Sequence, residues 1–252
     1  MDCSGLSLII EFRSYDRSTG NTLVKNLYSN YVVGRILAMK SAIKDIIKQH
    51  KIVPVIALEG MDQILPLADA LIEGRLPLIE ITFRTKIAAK AIAVLTKQRP
   101  ELLVGAGTVL TTDELKSAVD SGASFGVAPG FNPAIVEEAL RLNFPFIPGI
   151  LTPTELEAAM ELGIEVFKFF PAEAAGGINY LTSLAAPYSH KKIEFVPTGG
   201  VNPKNLIDYL AIKAVMAVGG TWIAKKDSIE AGQWEVIKKN CHEAVKLVGK
   251  LR

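Results

Sequence analysis

Short apolar runs alternate with stretches of helical periodicity from about residue 39 to the C-terminus. Apolar runs that stop at glycine, proline or polar residues are typical of buried strands. The predicted strands are Ile52–Ala57, Leu78–Phe83, Leu103–Thr108, Phe125–Ala128, Phe146–Pro148, Val166–Phe170, Ile193–Thr198 and Ala214–Val218. A helical stretch separates each strand from the next, so the pattern predicts repeated strand–helix units.

The stretches between the strands have the periodicity of amphipathic helices. The predicted helices are a leading helix Met39–His50, then Met61–Glu73, Lys86–Gln98, Thr112–Ser121, Pro133–Arg141, Pro153–Leu162, Asn179–Ala186 and Pro203–Leu210, and a closing helix at about Glu235–Leu251. Thr112, Asn132 and Asn202 stand at N-cap positions, each followed by an acidic residue or by proline.

The alternation of strands and helices predicts the fold class. Such units form parallel sheets through right-handed crossovers. Eight units within about 210 residues favour an α/β fold of the closed (β/α)8 TIM barrel type, with a leading N-terminal helix. A flavodoxin-like open sheet is the alternative, although it usually has only about five strands. We therefore expect one barrel domain over residues 39–252.

Residues 1–38 lack this regular pattern and mix Ser, Asn, Tyr and Arg. One interpretation is that Met39 is the natural start and that the upstream residues are an artefact of gene prediction or cloning. The other is a genuine extension that packs on the outside of the domain. We expect the first, and N-terminal sequencing of the native protein would decide between them.

The charge and cysteine content narrow the class of protein. A net charge of +2 in 252 residues, without a dense Lys/Arg stripe, gives no sign of a nucleic-acid partner. Cys3 and Cys241 form no metal or redox motif and are typical of a reducing compartment. No apolar run approaches the roughly 18 residues of a membrane span, and the patch Leu6–Ile10 lacks the flanks of a signal peptide. We expect a cytoplasmic protein.

One lysine lies inside an apolar run, Phe167-Lys168-Phe169-Phe170-Pro171-Ala172, at the end of a predicted strand. Burying an unpaired ammonium ion is costly, so an apolar site favours the neutral amine. A neutral amine is a nucleophile that condenses with a ketone to form a Schiff base. The alternative is a side chain that extends past the strand end into solvent.

Polar residues and glycines mark the ends of other strands, where barrel enzymes place their active sites. Glu80, Thr82 and Arg84 share one face of their strand by period-2 alternation. The pairs Gly199-Gly200 and Gly219-Gly220 follow the last two predicted strands, where barrels often hold phosphate with backbone N–H groups. A structural ion network would explain the charged residues but not the glycines.

Three motifs together resemble one family: Val104–Val109, Phe167–Glu173 and Pro197–Gly200. They are similar to the 2-keto-3-deoxy-6-phosphogluconate (KDPG) aldolases, a family that also covers 4-hydroxy-2-oxoglutarate (KHG) aldolases. The resemblance runs from about Met39 to the C-terminus. It implies a lyase of the class I, metal-free type, without a cofactor, that acts in the Entner–Doudoroff pathway. It also implies a homotrimer whose small-molecule substrates are a phosphorylated sugar acid and pyruvate.

The same resemblance implies roles for individual residues. Lys168 would form the Schiff base, and Glu80 would move protons, through a water. The implied substrate-binding residues are Arg84 and Thr108 for the pyruvyl carboxylate, Pro129 and Phe170 for the pocket wall, Gly199, Gly200, Gly219 and Gly220 for the phosphate, and Thr221, which stands where relatives commonly have serine. Thr198 offers a hydroxyl to the substrate's C4 hydroxyl, and it favours the gluconate substrate over its galactonate epimer.

Other functions remain as alternatives at this stage. Metal-dependent aldolases and epimerases need His and Asp ligands at strand ends. His50, His190 and His242 are predicted in the leading helix, a loop and the last helix, so no metal site is expected. Another phosphate-binding barrel enzyme would form no imine with pyruvate. A non-catalytic sensor of a phosphorylated sugar acid would bind pyruvate only reversibly.

Overall fold

The computed structural model describes residues 42–250, and residues 1–41 and 251–252 lie outside the described part. The prediction made for residues 1–38 therefore falls outside it, as do the first residues of the predicted leading helix and the last of the closing helix. Residues 42–50 are helical, within the range predicted for the leading helix.

The strands of the described part pair in parallel throughout. They are β1 (Ile52–Ile56), β2 (Leu78–Thr82), β3 (Leu103–Gly107), β4 (Phe125–Val127), β5 (Phe146–Ile147), β6 (Gly149–Ile150), β7 (Val166–Phe169), β8 (Glu194–Pro197) and β9 (Val218–Gly220). One sheet has the order β5-β4-β3-β2-β1-β9, and a second has the order β6-β7-β8. Isolated parallel bridges, Phe195 with Val215 and Thr198 with Gly219, connect β8 to the segment that ends in β9. The architecture is an α/β fold with a curled parallel sheet.

Two strand predictions differ from the structure. The run Phe146–Pro148 is divided at Pro148, which has no N–H to donate, into β5 and β6. The strand predicted over Ala214–Val218 is wrong in position, because β9 is Val218–Gly220 and pairs with β1. Glycine is a weak strand former, but here the neighbouring side chains exclude any other residue. A Cβ on Gly220 would lie 1.6 Å from the ring of Trp222.

Helices follow most strands. Those of the described part that come after β1 are α1 (Ile64–Glu73), α2 (Ala88–Gln98), α3 (Thr112–Asp120), α4 (Pro133–Arg141), α5 (Pro153–Glu161), α6 (Gly177–Ala185), α7 (Leu206–Leu210), α8 (Lys226–Glu230) and α9 (Trp234–Gly249). Short 3-10 turns, Met61–Gln63 and Ala186–Tyr188, adjoin α1 and α6.

The helix starts test the predicted N-caps. Asn132 is confirmed, because its side-chain oxygen accepts from the N–H of Ala134 at 3.1 Å. Thr112 is wrong by one residue: the hydroxyl of Thr111 accepts from the N–H of Glu114 at 3.1 Å and forms a capping box. Asn202 is also wrong, since α7 begins only at Leu206.

Buried side chains form two clusters on the two faces of the curled sheet. The larger cluster packs the sheet against the helices. The smaller one lies on the inner face, and we call it the floor. Its members are Ile43, Ile47, Val53, Leu78, Phe125, Val127, Ile147, Val196, Met216 and Ala217. Because the helical residues 42–50 contribute Ile43 and Ile47, this segment covers the inner face near the strand starts.

Candidate active site

Lys168 and Glu80 meet on the inner face of the sheet. Lys168 lies on β7 and is 5% exposed, and Glu80 lies on β2 and is 3% exposed. The Nζ atom of Lys168 is 3.6 Å from Oε1 of Glu80. The lysine therefore does not extend into solvent, and the structure confirms that the two predicted residues converge.

The contact between the two side chains is an ion pair that is too long for a direct hydrogen bond. Among the described residues, Oε1 of Glu80 has no hydrogen-bond partner. Buried polar atoms in native proteins are nearly always paired, so a lone carboxylate oxygen beside a lysine indicates a place for a water or a substrate atom.

A cavity of about 10 Å³ adjoins the pair and is lined by Glu80, Lys168, Thr198 and six residues of the floor. This volume is about the size needed for one water molecule and is far too small for a sugar acid. A substrate must therefore approach from the other side, where the strands end.

Gly107 makes room for the carboxylate, which sequence reasoning did not predict. It lies on β3 beside β2, where Thr82 pairs with Gly107. A Cβ at Gly107 would lie 2.1 Å from Oε1 of Glu80. The motif that contains Gly107 was found in the sequence, but only the strand register shows which side chain needs the space.

Arg84 and Thr82 extend the site beyond the end of β2. Thr82 is buried, and its hydroxyl accepts from Nε of the exposed Arg84 at 3.2 Å. Within residues 42–250, no carboxylate pairs with Arg84. Its guanidinium is thus oriented by Thr82 and available to an anion. Thr108, at the end of β3, has a φ of 54°, a conformation that β-branched residues rarely adopt.

Phe170 and Thr198 flank the lysine. The ring centroid of Phe170 lies 5.4 Å from Nζ of Lys168, within the range of a cation–π contact. Thr198 is 6% exposed, and its hydroxyl donates to the carbonyl of Val196 at 3.3 Å. A Cβ at Gly219 would lie 2.2 Å from that hydroxyl oxygen, so Gly219 leaves the space that Thr198 occupies.

The other predicted residues lie at the same strand ends. The carbonyl oxygen of Pro129 would be 2.1 Å from a Cβ at Gly149, so the segment after β4 packs directly on β6. Gly199 and Gly200 follow β8 with φ of 98° and 86°, values that favour glycine. Gly219 and Gly220 end β9, and Thr221 after them is exposed.

The histidines and the described cysteine do not form a metal centre. No group of three or more His, Cys, Asp or Glu in the described part is placed to hold a metal ion. Cys241 on α9 packs against Gly74, and burial raises the pKa of its thiol to about 12. In the same part of the chain, no helix is long and apolar enough to cross a membrane.

Comparison with known proteins assigns most of the described part of the chain to one family. A family model described as "KDPG and KHG aldolase" matches residues 43–240. The "2-dehydro-3-deoxy-phosphogluconate aldolase" of Haemophilus influenzae is 45% identical over 202 residues, which cover 80% of this chain and 94% of that protein. The "KHG/KDPG aldolase" of Escherichia coli K12 is 41% identical over 206 residues, 82% of this chain and 96% of that protein.

A solved structure gives the same match in three dimensions. A KDPG aldolase from Legionella pneumophila, with pyruvate captured as a covalent carbinolamine intermediate, has a TM-score of 0.74 and 37% identity. The alignment covers 76% of this chain and 92% of that one. The fold, the site and these relatives define an α/β enzyme of the lyase class. The chain belongs to the KDPG and KHG aldolase family.

Proposed function

We propose that the protein is a class I aldolase that cleaves KDPG to pyruvate and glyceraldehyde 3-phosphate. The same site would also cleave 4-hydroxy-2-oxoglutarate to pyruvate and glyoxylate. The observation that carries the proposal is the buried pair of Lys168 and Glu80, with 3.6 Å between Nζ and Oε1. A buried amine beside a carboxylate provides both the nucleophile and the proton carrier of imine chemistry.

The reaction begins when Lys168 passes a proton to the neighbouring carboxylate of Glu80 and its amine adds to the C2 ketone. Glu80 returns that proton to the hydroxyl of the carbinolamine, which leaves as water, and the carbinolamine becomes a protonated imine. Glu80, acting through a water, removes the proton of the C4 hydroxyl, and the C3–C4 bond breaks. The bonding electrons move to the imine nitrogen and leave an enamine, while the aldehyde departs. Glu80 then returns a proton to C3, and hydrolysis of the imine releases pyruvate.

The substrate is held along the strand ends. Arg84 and Thr108 bind the pyruvyl carboxylate, the arginine through a two-pronged fork that fixes C2 near the amine. Thr198 contacts the C4 hydroxyl. Pro129 and Phe170 form the wall. The phosphate end is formed by Gly199, Gly200, Gly219, Gly220 and Thr221. These assignments are supported by the position of each residue at the end of a strand of the curled sheet or directly after it.

The proposal includes a closed (β/α)8 barrel over residues 39–252, with the leading helix across one end. The bridges Phe195–Val215 and Thr198–Gly219, and the single residue between β5 and β6, support closure. A homotrimer, a cytoplasmic location and a place in the Entner–Doudoroff pathway are proposed with it, on the resemblance to the family alone.

The test is borohydride reduction in the presence of pyruvate, followed by peptide mapping with mass spectrometry. A reduced pyruvate adduct is expected on the peptide that carries Lys168. The Lys168→Met variant should lose it, and a Lys192→Met variant, at an exposed lysine, should keep it. A folded protein without the adduct would overturn the aldolase assignment in favour of another phosphate-binding enzyme or a sensor.

A further inference from the structure

The segment after β7 is joined to the glycine pair after β8. The N–H of Ala172 donates to the carbonyl of Thr198 at 2.8 Å, and the N–H of Glu173 donates to that of Gly199 at 3.0 Å. These bonds connect the strand that carries Lys168 with the glycines at the proposed phosphate end. The two parts of the site are therefore coupled through backbone contacts.

Glu173 continues this contact with its side chain. A Cβ at Gly200 would lie 2.4 Å from Cγ of Glu173, so the stem of the glutamate packs directly on the glycine backbone. The carboxylate oxygen Oε1 accepts a hydrogen bond from the hydroxyl of Tyr209. Tyr209 lies on α7, the helix that follows the glycine pair, and is fully buried. We call this contact the Glu173–Tyr209 bridge.

The hydroxyl of Tyr209 remains a donor at all ordinary pH values. Burial raises the pKa of Tyr209, and its hydrogen bond to Glu173 raises that pKa further. The bridge is a hydrogen bond from a phenol hydroxyl to the carboxylate of Glu173. A hydrogen bond to a charged acceptor is stronger than one between neutral groups.

Two sets of side chains hold the glycine pair. The side-chain amides of Asn202 and Asn205 donate to the carbonyl of Gly200 at 2.9 and 3.3 Å, and the stem of Glu173 packs against the backbone of the same glycine. Two successive glycines at positive φ have many accessible conformations, so their backbone keeps one orientation only if neighbouring groups restrain it. A ligand that binds through these N–H groups needs that orientation in advance.

We propose that Glu173 and Tyr209 are positioning residues that hold Gly199 and Gly200 ready for the phosphate of the substrate and thereby favour phosphorylated over unphosphorylated substrates. The inference rests on the proposed function, because the glycine pair must hold the phosphate. KDPG carries a phosphate on its aldehyde half, whereas 4-hydroxy-2-oxoglutarate does not. Loss of the bridge should therefore weaken cleavage of KDPG more than cleavage of the second substrate.

The experiment compares both substrates in the Tyr209→Phe variant, which removes one hydroxyl and keeps the buried ring. The kcat/KM for KDPG should fall about tenfold, mainly through KM, as expected for loss of one hydrogen bond to a charged group. The ratio of kcat/KM for KDPG to that for 4-hydroxy-2-oxoglutarate should fall at least about fivefold. If cleavage of 4-hydroxy-2-oxoglutarate is too slow to measure, the rate at which borohydride traps pyruvate on the enzyme serves as the phosphate-free reference.

A matched control is available in another Tyr–Glu pair. The hydroxyl of Tyr188 donates to Glu157 at 2.7 Å, between the turn after α6 and helix α5. Tyr188→Phe removes an equivalent hydroxyl and should leave the substrate ratio unchanged. Glu173→Gln keeps a neutral acceptor for Tyr209 and should retain part of the ratio, because the hydrogen bond is weaker without the charge. Glu173→Ala should lose the effect of the bridge entirely. Because Glu173 is exposed, this second pair tests the proposal even if Tyr209→Phe does not fold.

The outcomes separate this inference from the proposed function. Equal losses on both substrates, or none on either, would overturn the positioning role and leave the aldolase assignment intact. A wild-type protein that forms no adduct with pyruvate would overturn the proposed function and this inference with it.

Discussion

The inner face of the curled sheet has two regions that differ within a single strand. Near the strand starts it is apolar and forms the floor, and toward the strand ends it carries the ionisable site. Three strands show the change between residues i and i+2, which share a face. The pairs are Leu78 and Glu80 on β2, Val166 and Lys168 on β7, and Val196 on β8 with Thr198 just after it. Leu78 and Val196 belong to the floor, and Val166 packs against it.

Residues that stabilise the fold and residues that carry the chemistry are therefore only two positions apart along a strand, roughly 7 Å. The apolar floor closes the site from below, apart from a cavity about the size of one water molecule. The lysine and the carboxylate therefore meet in a region of low polarity where electrostatic interactions are strong. Burial of the two ionisable side chains lowers the free energy of unfolding, and burial of the apolar floor residues beneath them offsets this loss. Substitutions in the two regions should therefore have different effects.

The largest effect is expected from Glu80→Gln. The variant keeps the shape of the side chain but removes the proton carrier, so kcat for KDPG cleavage should fall by about 10²–10⁴. Steady-state kinetics would measure the loss. The pyruvate adduct should still form on Lys168, though more slowly, because the amine is intact. Glu101→Gln, at an exposed glutamate, is the control, and an unchanged kcat in Glu80→Gln would remove Glu80 from the mechanism.

Two residues earlier on the same face, Leu78→Ala should affect stability instead. Leu78 is fully buried in the floor, and truncation of such a leucine lowers the free energy of unfolding by about 2–5 kcal/mol. Urea unfolding would measure this change. Activity per folded molecule should remain within about threefold at a temperature where the variant is folded. A large fall in kcat without loss of stability would contradict the separation of the two regions.

Gly107→Ala should lower activity less than Glu80→Gln does. The added methyl would lie 2.1 Å from Oε1 of Glu80, so the carboxylate must move. Displacement of a catalytic group by about 1 Å can reduce activity about a hundredfold. Gly130→Ala is the matched control, because a Cβ there meets nothing within 4 Å. Equal activities of the two variants would show that the position of Glu80 tolerates displacement.

The sequence predicted the main features of the ionisable region. The apolar run around Lys168 placed it at the end of a strand, and period-2 alternation put Glu80 on one face with Thr82 and Arg84. Polar residues inside apolar runs pointed to chemistry there. Periodicity reports which way a side chain faces, however, and not which neighbour it meets. The space that Gly107 leaves for Glu80 depends on the register of β2 with β3, which no pattern within one strand encodes.

Two other features could not be predicted for related reasons. Gly219 and Gly220 were placed after a strand because glycine is a weak strand former, whereas the packing of Trp222 and Thr198 makes glycine necessary in β9. Glu173 ends the motif Phe167–Glu173, but nothing in the sequence pairs it with Tyr209, which is 36 residues away. Their contact arises only because α7 returns over the segment after β7.

The smallest effect concerns an ion pair at the strand starts and its dependence on pH. Glu194, the first residue of β8, pairs with Lys44 at 2.9 Å and with Lys48 at 2.8 Å, and both lysines belong to the helical residues 42–50. Burial raises the pKa of Glu194, but the hydrogen bonds of the two lysines outweigh burial and lower it below its ordinary value of 4.5. The charged form is therefore favoured by folding.

A carboxyl with a lowered folded-state pKa stabilises the fold fully above its unfolded-state pKa and loses that contribution as pH falls through the folded-state pKa. Glu194→Gln should thus be less stable than the wild type by up to about 1 kcal/mol near neutral pH. The gap should narrow as pH falls below 4.5, the ordinary value. Urea unfolding at several pH values would measure this difference in stability.

Glu165→Gln is the control. The contact of Glu165 with Lys44 is 3.8 Å long and exposed, so this variant should differ less from the wild type in stability. A gap that does not change with pH would mean that Glu194 stabilises the protein by packing and not by charge.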